Sequence, residues 1–487
     1  MSTEYGTVGE DLTFLERLQR TPQPAVAWVG GILLMVALQF GALMRTIMTV
    51  VPWQGVGEFL PLTTPWALLA GAGDALAGLP TLLSRETIPN QGYQLPAEGW
   101  QETFMGLDPA LAWGLRVLLV YVYSFALLGW TFYGYELFRR HYRAADWTPY
   151  DDMLGRLEGH RWGQFGLVVV FAFVVMAVFA PALGPTTVDS NIANPYENEI
   201  QYFDENSGEV RTALVGEANL RSVSKGAGGR NVGPGEYDDF GRFHPFGTLP
   251  SGKDLFTFMV AGARVSLFIG LLYITLAAGI AVVLALMTAY YKGLVDLAVV
   301  ITGDSVQALP QLLVLILLSF VLSDTWLASI YDGGLLLALI FAATGWPYLW
   351  RAVRGPALQV STEEWIDAAK SFGQKPTTTM RKHMLPYVVG YLLIYASLSL
   401  GGAIIGVAGL SFLGLGVSPP TPEWGRAVSA GQPYVATASW HISLIPGIMV
   451  VLVVTAFNAL GDGIRDAIDP QSDEGSSEIS AAGGTGA

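Results

Sequence analysis

A glycine-rich segment in the middle of the chain, GTLPSGKD at residues 247–254, has the residue types of a phosphate-binding loop. In such loops, backbone N–H groups and a lysine hold the phosphates, and a Ser or Thr at the eighth position binds magnesium. The first seven positions match, but the eighth is Asp254, and no predicted strand precedes the segment. We therefore interpret it as a turn that leads into a helix, and we predict that this chain does not hydrolyse ATP itself.

Asp304 is the second candidate for chemistry, because it lies inside a long apolar run at 297–322. A carboxylate at membrane depth is energetically costly, so it usually lines a cavity or finds a partner. Two interpretations are equally supported by the sequence. Asp304 either lines a transport pathway or forms a structural hydrogen bond between two helices.

Catalytic and metal chemistry have no basis elsewhere in the sequence. His244, His383 and His441 lie in different segments, which gives no support for a general base. The five histidines include no pair at metal-ligand spacing, and the absence of cysteine excludes disulfides and thiolate catalysis. We therefore predict a chain that is not an enzyme, with no catalytic residue, no metal site and no bound cofactor.

The elements that position these residues must lie largely in lipid. The chain has 487 residues, of which 52% are hydrophobic and 14% charged, and its mean hydropathy is +0.44. These values predict a protein with several membrane spans. The net charge of −14, with basic residues that are mostly arginine, suggests a halophilic source and argues against nucleic acid as a partner.

The apolar runs and the arginines together predict the topology. Spans are predicted at 25–50, 111–138, 166–183, 265–290, 297–322, 334–350, 385–409 and 443–460. The run at 60–83 is interrupted by prolines and Asp74, so an interfacial or re-entrant helix competes there with a further span. Arginines cluster between residues 139 and 161, which by the positive-inside rule places that stretch in the cytoplasm.

The predicted fold is an all-α polytopic membrane protein, in which two or three N-terminal membrane helices precede a core of six spans. We expect a cytoplasmic head at 1–24, an N-terminal membrane extension at 25–138, a cytoplasmic linker at 139–164, a transmembrane core at 165–470 and a disordered tail at 471–487. Within the core, 184–255 is predicted to be an external loop and 355–386 a cytoplasmic loop.

A polar insert between two apolar runs, Ser361 to Pro386, has the pattern of two short helices joined by a turn. Ser361 and Glu364 have the spacing of a capping box, which predicts a helix start. Trp365, Ala368, Ala369 and Phe372 would then form one apolar stripe, and Gly373 would end the helix in a left-handed conformation. Pattern alone favours an amphipathic linker between spans, and this is the simpler interpretation.

Residues from His244 to Pro470 resemble the permease subunits of ABC importers for dipeptides, oligopeptides and nickel. The resemblance rests on HPFGTLPSGKDLF with GARVSLFIG, then GWPYLWRAVRG, IDAAKSFG followed by MLP, LSFLGLGVSPPTPEWG and AFNALGDGIRDAIDP. These motifs follow one another in the order of that family and cover nearly half of the chain. The segment before about Glu158 has no counterpart in the usual family pattern.

In that family the cytoplasmic insert carries a coupling helix that docks in a groove on the ATPase subunit. The resemblance implies that the residues in contact with the ATPase are Glu364, Asp367, Ala368, Ala369, Gly373, Leu385 and Pro386. Asp367 stands where relatives have Glu, and His383 replaces an aliphatic residue. Asp304 matches a family aspartate that precedes a proline.

The resemblance further implies that this chain forms half of the translocation pathway of an ATP-driven importer of peptides or related small solutes. Its partners would be a second permease subunit, in a heterodimer, and two ATPase subunits that bind ATP and magnesium. An external solute-binding protein would deliver the solute, and the chain would lie in the cell membrane with its coupling loop in the cytoplasm.

Three interpretations from other classes compete with this one. A secondary transporter or channel would couple to an ion through Asp304, and its uptake would not need an ATPase. An intramembrane enzyme would need a catalytic cluster, and the sequence offers none. A membrane scaffold would use the N-terminal helices to dock a partner. The sequence does not distinguish dipeptide, oligopeptide, nickel and oligosaccharide as the substrate.

Overall fold

The computed structural model describes residues 13–42, 81–143, 148–226 and 231–468, and the chain divides into two units, Met1–Pro149 and Tyr150–Ala487. Residues 60–80 of the predicted run at 60–83, all of residues 43–50 and the predicted tail at 471–487 lie outside the described residues.

In its described residues, the N-terminal unit contains a short helix, two long helices and a small hairpin. Its elements are α1 (Phe14–Arg20), α2 (Pro22–Leu38), β1 (Tyr93–Leu95), β2 (Gly99–Gln101) and α3 (Pro109–His141). Helices α2 and α3 are joined by a reciprocal pair of hydrogen bonds. The indole Nε1 of Trp28 donates to the Trp130 carbonyl (3.0 Å), and that of Trp130 donates to the Trp28 carbonyl (3.1 Å). Each indole N–H, costly to bury without a partner, is thereby satisfied between the two helices.

The second unit begins with two helices and a region of small hairpins. Its first elements are α4 (Pro149–Gly159), α5 (Arg161–Val178), β3 (Glu199–Asp204), β4 (Glu209–Leu214), α6 (Val215–Arg221), β5 (Glu236–Tyr237) and β6 (Phe243–His244). Strands β3 and β4 pair antiparallel, with Glu199 opposite Leu214 and Asp204 opposite Glu209. Both strands lie within residues 184–255, the stretch that the sequence predicts to be an external loop.

From residue 255 to residue 468, the second unit is largely helical. This part consists of α7 (Leu255–Tyr291), α8 (Gly293–Ala308), α9 (Gln311–Val321), α10 (Gly334–Val360), α11 (Glu364–Ser371), α12 (Leu385–Phe412), α13 (Trp424–Gly431) and α14 (His441–Ile468). Single helical turns at Ala180–Leu183, Trp326–Ser329 and Pro376–Thr379 join these elements. Helix α13 was not among the predicted elements.

Length and composition qualify six helices of the described chain as membrane spans, and up to eight if two bent pairs are each counted as one span. One bent pair is α8 and α9, which correspond to the predicted run at 297–322 and meet at an angle of 83° beside Pro310. The other is α1 and α2, which are bent by 93°. Counting the pairs gives six spans after residue 160 and two before it, so the prediction of an all-α polytopic membrane protein with an N-terminal extension is confirmed.

Several helices extend beyond the apolar runs that predicted them. Helix α7 begins ten residues before the predicted start at 265, because Asp254 accepts a hydrogen bond from the Thr257 N–H (2.6 Å) and caps it. The charge of Arg264 interrupts the apolar run but not the helix, where its side chain is half-buried.

The core of the second unit is centred on α7 and α10. Ala277, Ala281, Ala285 and Ala289 are fully buried and recur every four residues on one face of α7. Such a stripe of small side chains lets two helix backbones approach closely. On α10, Gly345 lies against Tyr273 of α7, and a Cβ at this position would lie 2.8 Å from the tyrosine ring. The absence of a side chain at Gly345 therefore allows the contact.

Candidate functional site

The polar insert contains the predicted short helix, α11, but its predicted N-cap is wrong. Glu363 occupies the N-cap position and makes no side-chain cap hydrogen bond. Ser361 instead ends α10, where its hydroxyl donates to the Leu358 carbonyl at 2.7 Å. The capping-box spacing predicted the wrong N-cap because α10 continues through Val360. The Ser361 hydroxyl therefore donates to a carbonyl of the preceding helix and does not cap α11.

The C-terminal end of α11 agrees with the prediction. Gly373 has φ +74°, a left-handed conformation that costs glycine little. Its N–H donates to the Lys370 carbonyl (2.9 Å), and the Gln374 N–H donates to the Ala369 carbonyl (3.1 Å). This is the paired hydrogen-bond pattern of a Schellman motif, which stops α11 sharply. Pro376 then begins the next helical turn, which leads into α12.

One buried side chain fixes α11 to the membrane core. Ile366 is fully buried and belongs to the same apolar cluster as Met384 and Val388, which are also fully buried near the start of α12. Lys370 adds a second connection, because its Nζ lies 5.4 Å from the centre of the Tyr290 ring at the end of α7. Helix α11 is therefore held to two membrane helices.

Another side of α11 carries an apolar stripe that is exposed. Trp365 is 44% exposed, Phe372 is 91% exposed, and Ala368 between them is also exposed. An exposed phenylalanine beside a tryptophan on a firmly held helix is typical of a surface that a partner covers.

The other residues predicted to contact an ATPase lie around this face. Glu364 and Asp367 are exposed on the same helix, and Ala369 is half-buried. Leu385 is half-buried at the start of α12, and Pro386 beside it is exposed. The structure thus brings the residues of α11 and the first residues of α12 together at one end of the helical bundle.

A cavity of about 680 Å³ lies further along the bundle. It is bounded by α7, α8, α9, α10 and α12, and its polar lining consists of Tyr273, Gln307, Gln311, Thr344, Tyr348 and Ser399. Most of its other lining side chains are apolar. A mixed lining of this kind suits the passage of a small polar solute, because it offers hydrogen bonds without a fixed charge.

Asp304 forms an ion pair with Arg351, which links α8 to α10. The same guanidinium donates to the side-chain oxygen of Gln307, and Gln307 lines the 680 Å³ cavity whereas Asp304 does not. Asp304 therefore forms a contact between two helices, and its predicted role in lining a pathway stays a prediction.

A second ion pair between α8 and α10, formed by Asp296 and Arg354, was not predicted. Arg354 Nε donates to Asp296 Oδ1 at 2.8 Å, and the guanidinium carbon of Arg354 lies 5.6 Å from the centre of the Trp350 ring. The sequence signal was present as Arg351 and Arg354 at the end of an apolar run, but sequence spacing does not identify partners on another helix.

The segment that resembles a phosphate-binding loop is a turn into α7, as predicted. Gly247 and Gly252 have φ values of +75° and +77°, and Asp254 caps the helix. The Nζ of Lys253 donates to the Ile192 carbonyl at 2.8 Å.

A buried charged network that was not predicted surrounds this turn. His244 lies 2.8 Å from Asp254 through Nδ1 and 3.4 Å from Asp238 through Nε2, and Arg242 Nε donates to Asp238 at 2.7 Å. Burial by itself would lower the pKa of His244, but its hydrogen bonds to Asp238 and Asp254 raise it. Burial would raise the pKa of Asp238, but the charge of Arg242 and the hydrogen bond from His244 hold it well below its usual range.

His441, which was treated as an isolated histidine, lies against the same region. Its Nε2 is 3.2 Å from the Thr248 carbonyl, and a Cβ at Gly247 would lie 2.6 Å from that nitrogen. Within the described residues, no group of three or more His, Asp or Glu side chains could hold a metal ion. Through Asp254 and His441, these contacts join the region of small hairpins to the first turns of α7 and α14.

Comparisons with known proteins agree with this architecture. Residues 281–473 match the family described as "Binding-protein-dependent transport system inner membrane component". The dipeptide transport system permease protein DppC of Alkalihalophilus pseudofirmus is 30% identical over 324 residues, which is 66% of this chain and 90% of that protein. DppC of Bacillus subtilis is 32% identical over 320 residues, covering 66% of this chain and 85% of that protein.

A further relative is named for another peptide. The glutathione transport system permease protein GsiD of Escherichia coli O157:H7 is 35% identical over 324 residues, covering 66% of this chain and 91% of that protein. About a third of the present chain has no counterpart in these alignments. The near-complete coverage of these relatives, together with the multi-span helical core, shows that the chain belongs to the family of binding-protein-dependent inner-membrane components, as an ABC importer permease of the peptide type.

Proposed function

We propose that this chain is the permease subunit of an ATP-driven importer and forms half of the pathway for peptides or related small solutes. A separate ATPase drives it through the insert at 361–386, which lies in the cytoplasm. A second permease subunit supplies the other half of the pathway, and an external binding protein delivers the solute. The relatives named for dipeptides and for glutathione support the class of solute.

The observation that carries this proposal is the exposed apolar face of α11. A helix transmits a movement only if both of its faces are held. The inner face is held by Ile366, and the outer face, with Trp365 and Phe372, has the composition of a surface packed in a groove on a partner. Movement of the ATPase would therefore reach α12 and α7, both of which line the 680 Å³ cavity.

The test is a bulky substitution in the middle of the exposed face. Ala368→Trp adds a large side chain where α11 must enter the groove, so we expect ATPase copurification to fall at least tenfold while the amount of membrane-inserted chain is unchanged. Ala436→Trp, at an exposed alanine far from the insert in sequence, is the matched control and should retain the ATPase. Normal copurification with Ala368→Trp would refute the proposed coupling surface.

A further inference from the structure

A second cavity lies at the opposite end of the bundle from the insert. Helix α12 has 28 residues and starts beside the insert, so its last residue, Phe412, lies about 42 Å away along the helix axis. Phe412 lines a cavity of about 730 Å³ that is also bounded by the turn before α7 and by α13. Ser411 also lines this second cavity. It lies about 8 Å further along α12 than Gly406, which lines the 680 Å³ cavity.

Two cationic side chains, Lys253 and Arg426, line this second cavity. Lys253 donates to the Ile192 carbonyl at 2.8 Å, and Arg426 Nη1 donates to the Thr421 carbonyl at 2.6 Å. In the parts of the chain that the structure describes, neither side chain forms a salt bridge. Although the chain has 40 acidic and 26 basic residues, these two cations share one cavity and contact no carboxylate of the described residues through their side chains.

The two charges are close enough to affect each other. Burial lowers the pKa of Lys253, and the charge of Arg426 lowers it further. Mutual repulsion of this kind is relieved when an anion binds between the cations. The hydrogen bonds to two backbone carbonyls hold the side chains in place and leave further donors on each group.

Two acidic residues near Arg426 do not neutralise the pair. Glu423 is fully buried, and one of its carboxylate oxygens accepts from the Gly425 N–H (2.7 Å) and the Arg426 N–H (3.3 Å). Burial raises the pKa of Glu423 to about 7, so near neutral pH it carries only part of a negative charge. Asp332 accepts a hydrogen bond from Thr421 and attracts Arg426 without contacting it.

We propose that this cavity binds a small peptide through its free carboxylate, with Lys253 and Arg426 as the groups that recognise the carboxylate. The inference rests on the proposed function, because it assumes that the solute is a peptide. The volume of about 730 Å³ is that of a site for a small molecule. Phe258 and Val417 supply apolar walls for side chains, and the hydroxyls of Ser251, Ser418 and Ser429 supply further hydrogen-bonding groups.

The experiment measures binding of two probes to the full-length chain in lipid nanodiscs. The probes are alanyl-alanine and its C-terminal amide, which differ in the carboxylate charge, and saturation-transfer NMR and calorimetry report their affinities. We expect the amide to bind about tenfold more weakly than the acid, since a hydrogen bond to a charged group is lost. In Lys253→Gln and Arg426→Gln the acid should lose a similar factor, and the difference between acid and amide should shrink.

Three controls keep the outcome interpretable. Lys225→Gln removes an exposed lysine outside the cavity and should bind both probes as the wild type does. Lys253→Arg keeps the charge and should retain the preference for the acid. Melting temperatures of all variants identify any that fail to fold.

Equal affinity for acid and amide in the wild type would overturn the proposal, as would wild-type affinities in both glutamine variants. A carboxylate effect that appears only in the presence of the binding protein would also overturn it, and would assign the cations to an acidic side chain of that protein. Uptake by the assembled transporter without peptide binding by this chain would refute the cavity site and leave the proposed function intact. Peptide binding without ATP-driven uptake would refute the proposed function.

Discussion

The indole ring of Trp365 stacks on the phenol ring of Tyr387, with ring centres 5.9 Å apart and planes inclined by 28°. Trp365 belongs to the exposed face of α11, and Tyr387 lies in the first turn of α12. The exposed face of α11 and a helix that lines the 680 Å³ cavity are therefore in direct contact.

Loss of this stacking should weaken the link between ATP hydrolysis and transport. Trp365→Ala removes a ring contact of about 0.5–1.5 kcal/mol. In the assembled transporter we expect several-fold less solute taken up per ATP hydrolysed, as measured in proteoliposomes. Trp365→Phe retains a ring and should keep most of the coupling, whereas equal uptake per ATP in all three proteins would contradict the link.

The two faces of α11 should respond differently to truncation. Ile366→Ala removes a fully buried side chain and should destabilise the chain by about 2–5 kcal/mol, seen as a lower melting temperature. Phe372→Ala removes a 91% exposed side chain and should change stability by less than about 0.5 kcal/mol. The same change should weaken ATPase binding by at least tenfold, as measured by titration. A stability loss with Phe372→Ala, at normal ATPase affinity, would mean that the exposed face has no partner.

The ion pair between Asp304 and Arg351 should support transport by joining α8 to α10, and not by coupling uptake to an ion gradient. Asp304→Asn leaves Arg351 without its carboxylate, and we expect uptake to fall because α8 and α10 are less firmly joined beside Gln307. The exchanged pair Asp304→Arg with Arg351→Asp should recover part of that loss. In the wild type, an ionophore that collapses the proton and sodium gradients should leave ATP-driven uptake unchanged. Loss of uptake with the ionophore would support ion coupling instead.

The stability of the hairpin region should fall in alkaline solution. The pKa of His244 is raised above its usual value of 6.5, so folding favours the charged imidazole. Its stabilisation is fully present below pH 6.5 and is lost as the pH rises through the raised value. Because the pKa of Asp238 is lowered, that group's contribution is lost only in strong acid.

Hydrogen exchange of residues 184–254 between pH 6 and pH 9 measures this dependence. We expect protection to decrease as the pH rises, and His244→Gln to remove most of the dependence, because glutamine does not titrate. An equally steep decrease in His244→Gln would assign the effect to other groups.

One glycine should be essential for packing between α5 and α14. A Cβ at Gly166 would lie 2.5 Å from the Leu460 nitrogen and 2.6 Å from the Ala456 oxygen, which are backbone atoms that cannot move aside cheaply. Gly166→Ala should therefore cost about 1–3 kcal/mol and lower the melting temperature. Gly447→Ala on α14 is the matched control, because no atom lies within 4 Å of its added Cβ. Similar melting temperatures for the two variants would contradict this account of the packing.

The sequence by itself determined the class of the protein and the order of its long apolar helices. Apolar runs long enough to cross a bilayer predict helices, because backbone polar groups in lipid must be paired within the segment. Gly373 predicted the end of α11, since only a residue tolerant of positive φ suits that position. The motifs between His244 and Pro470 identified the family, and the similarity to known permeases confirmed it.

The tertiary structure decided which residues share a site. The partners of Asp304 and Arg354 lie on other helices, and sequence spacing carries no information about such contacts. The Ser361 hydroxyl bonds to the Leu358 carbonyl of α10 and not to α11, because α10 extends up to this serine. Lys253 and Arg426 are 173 positions apart, and only the packing of α7, α12 and α13 places both cations in one cavity.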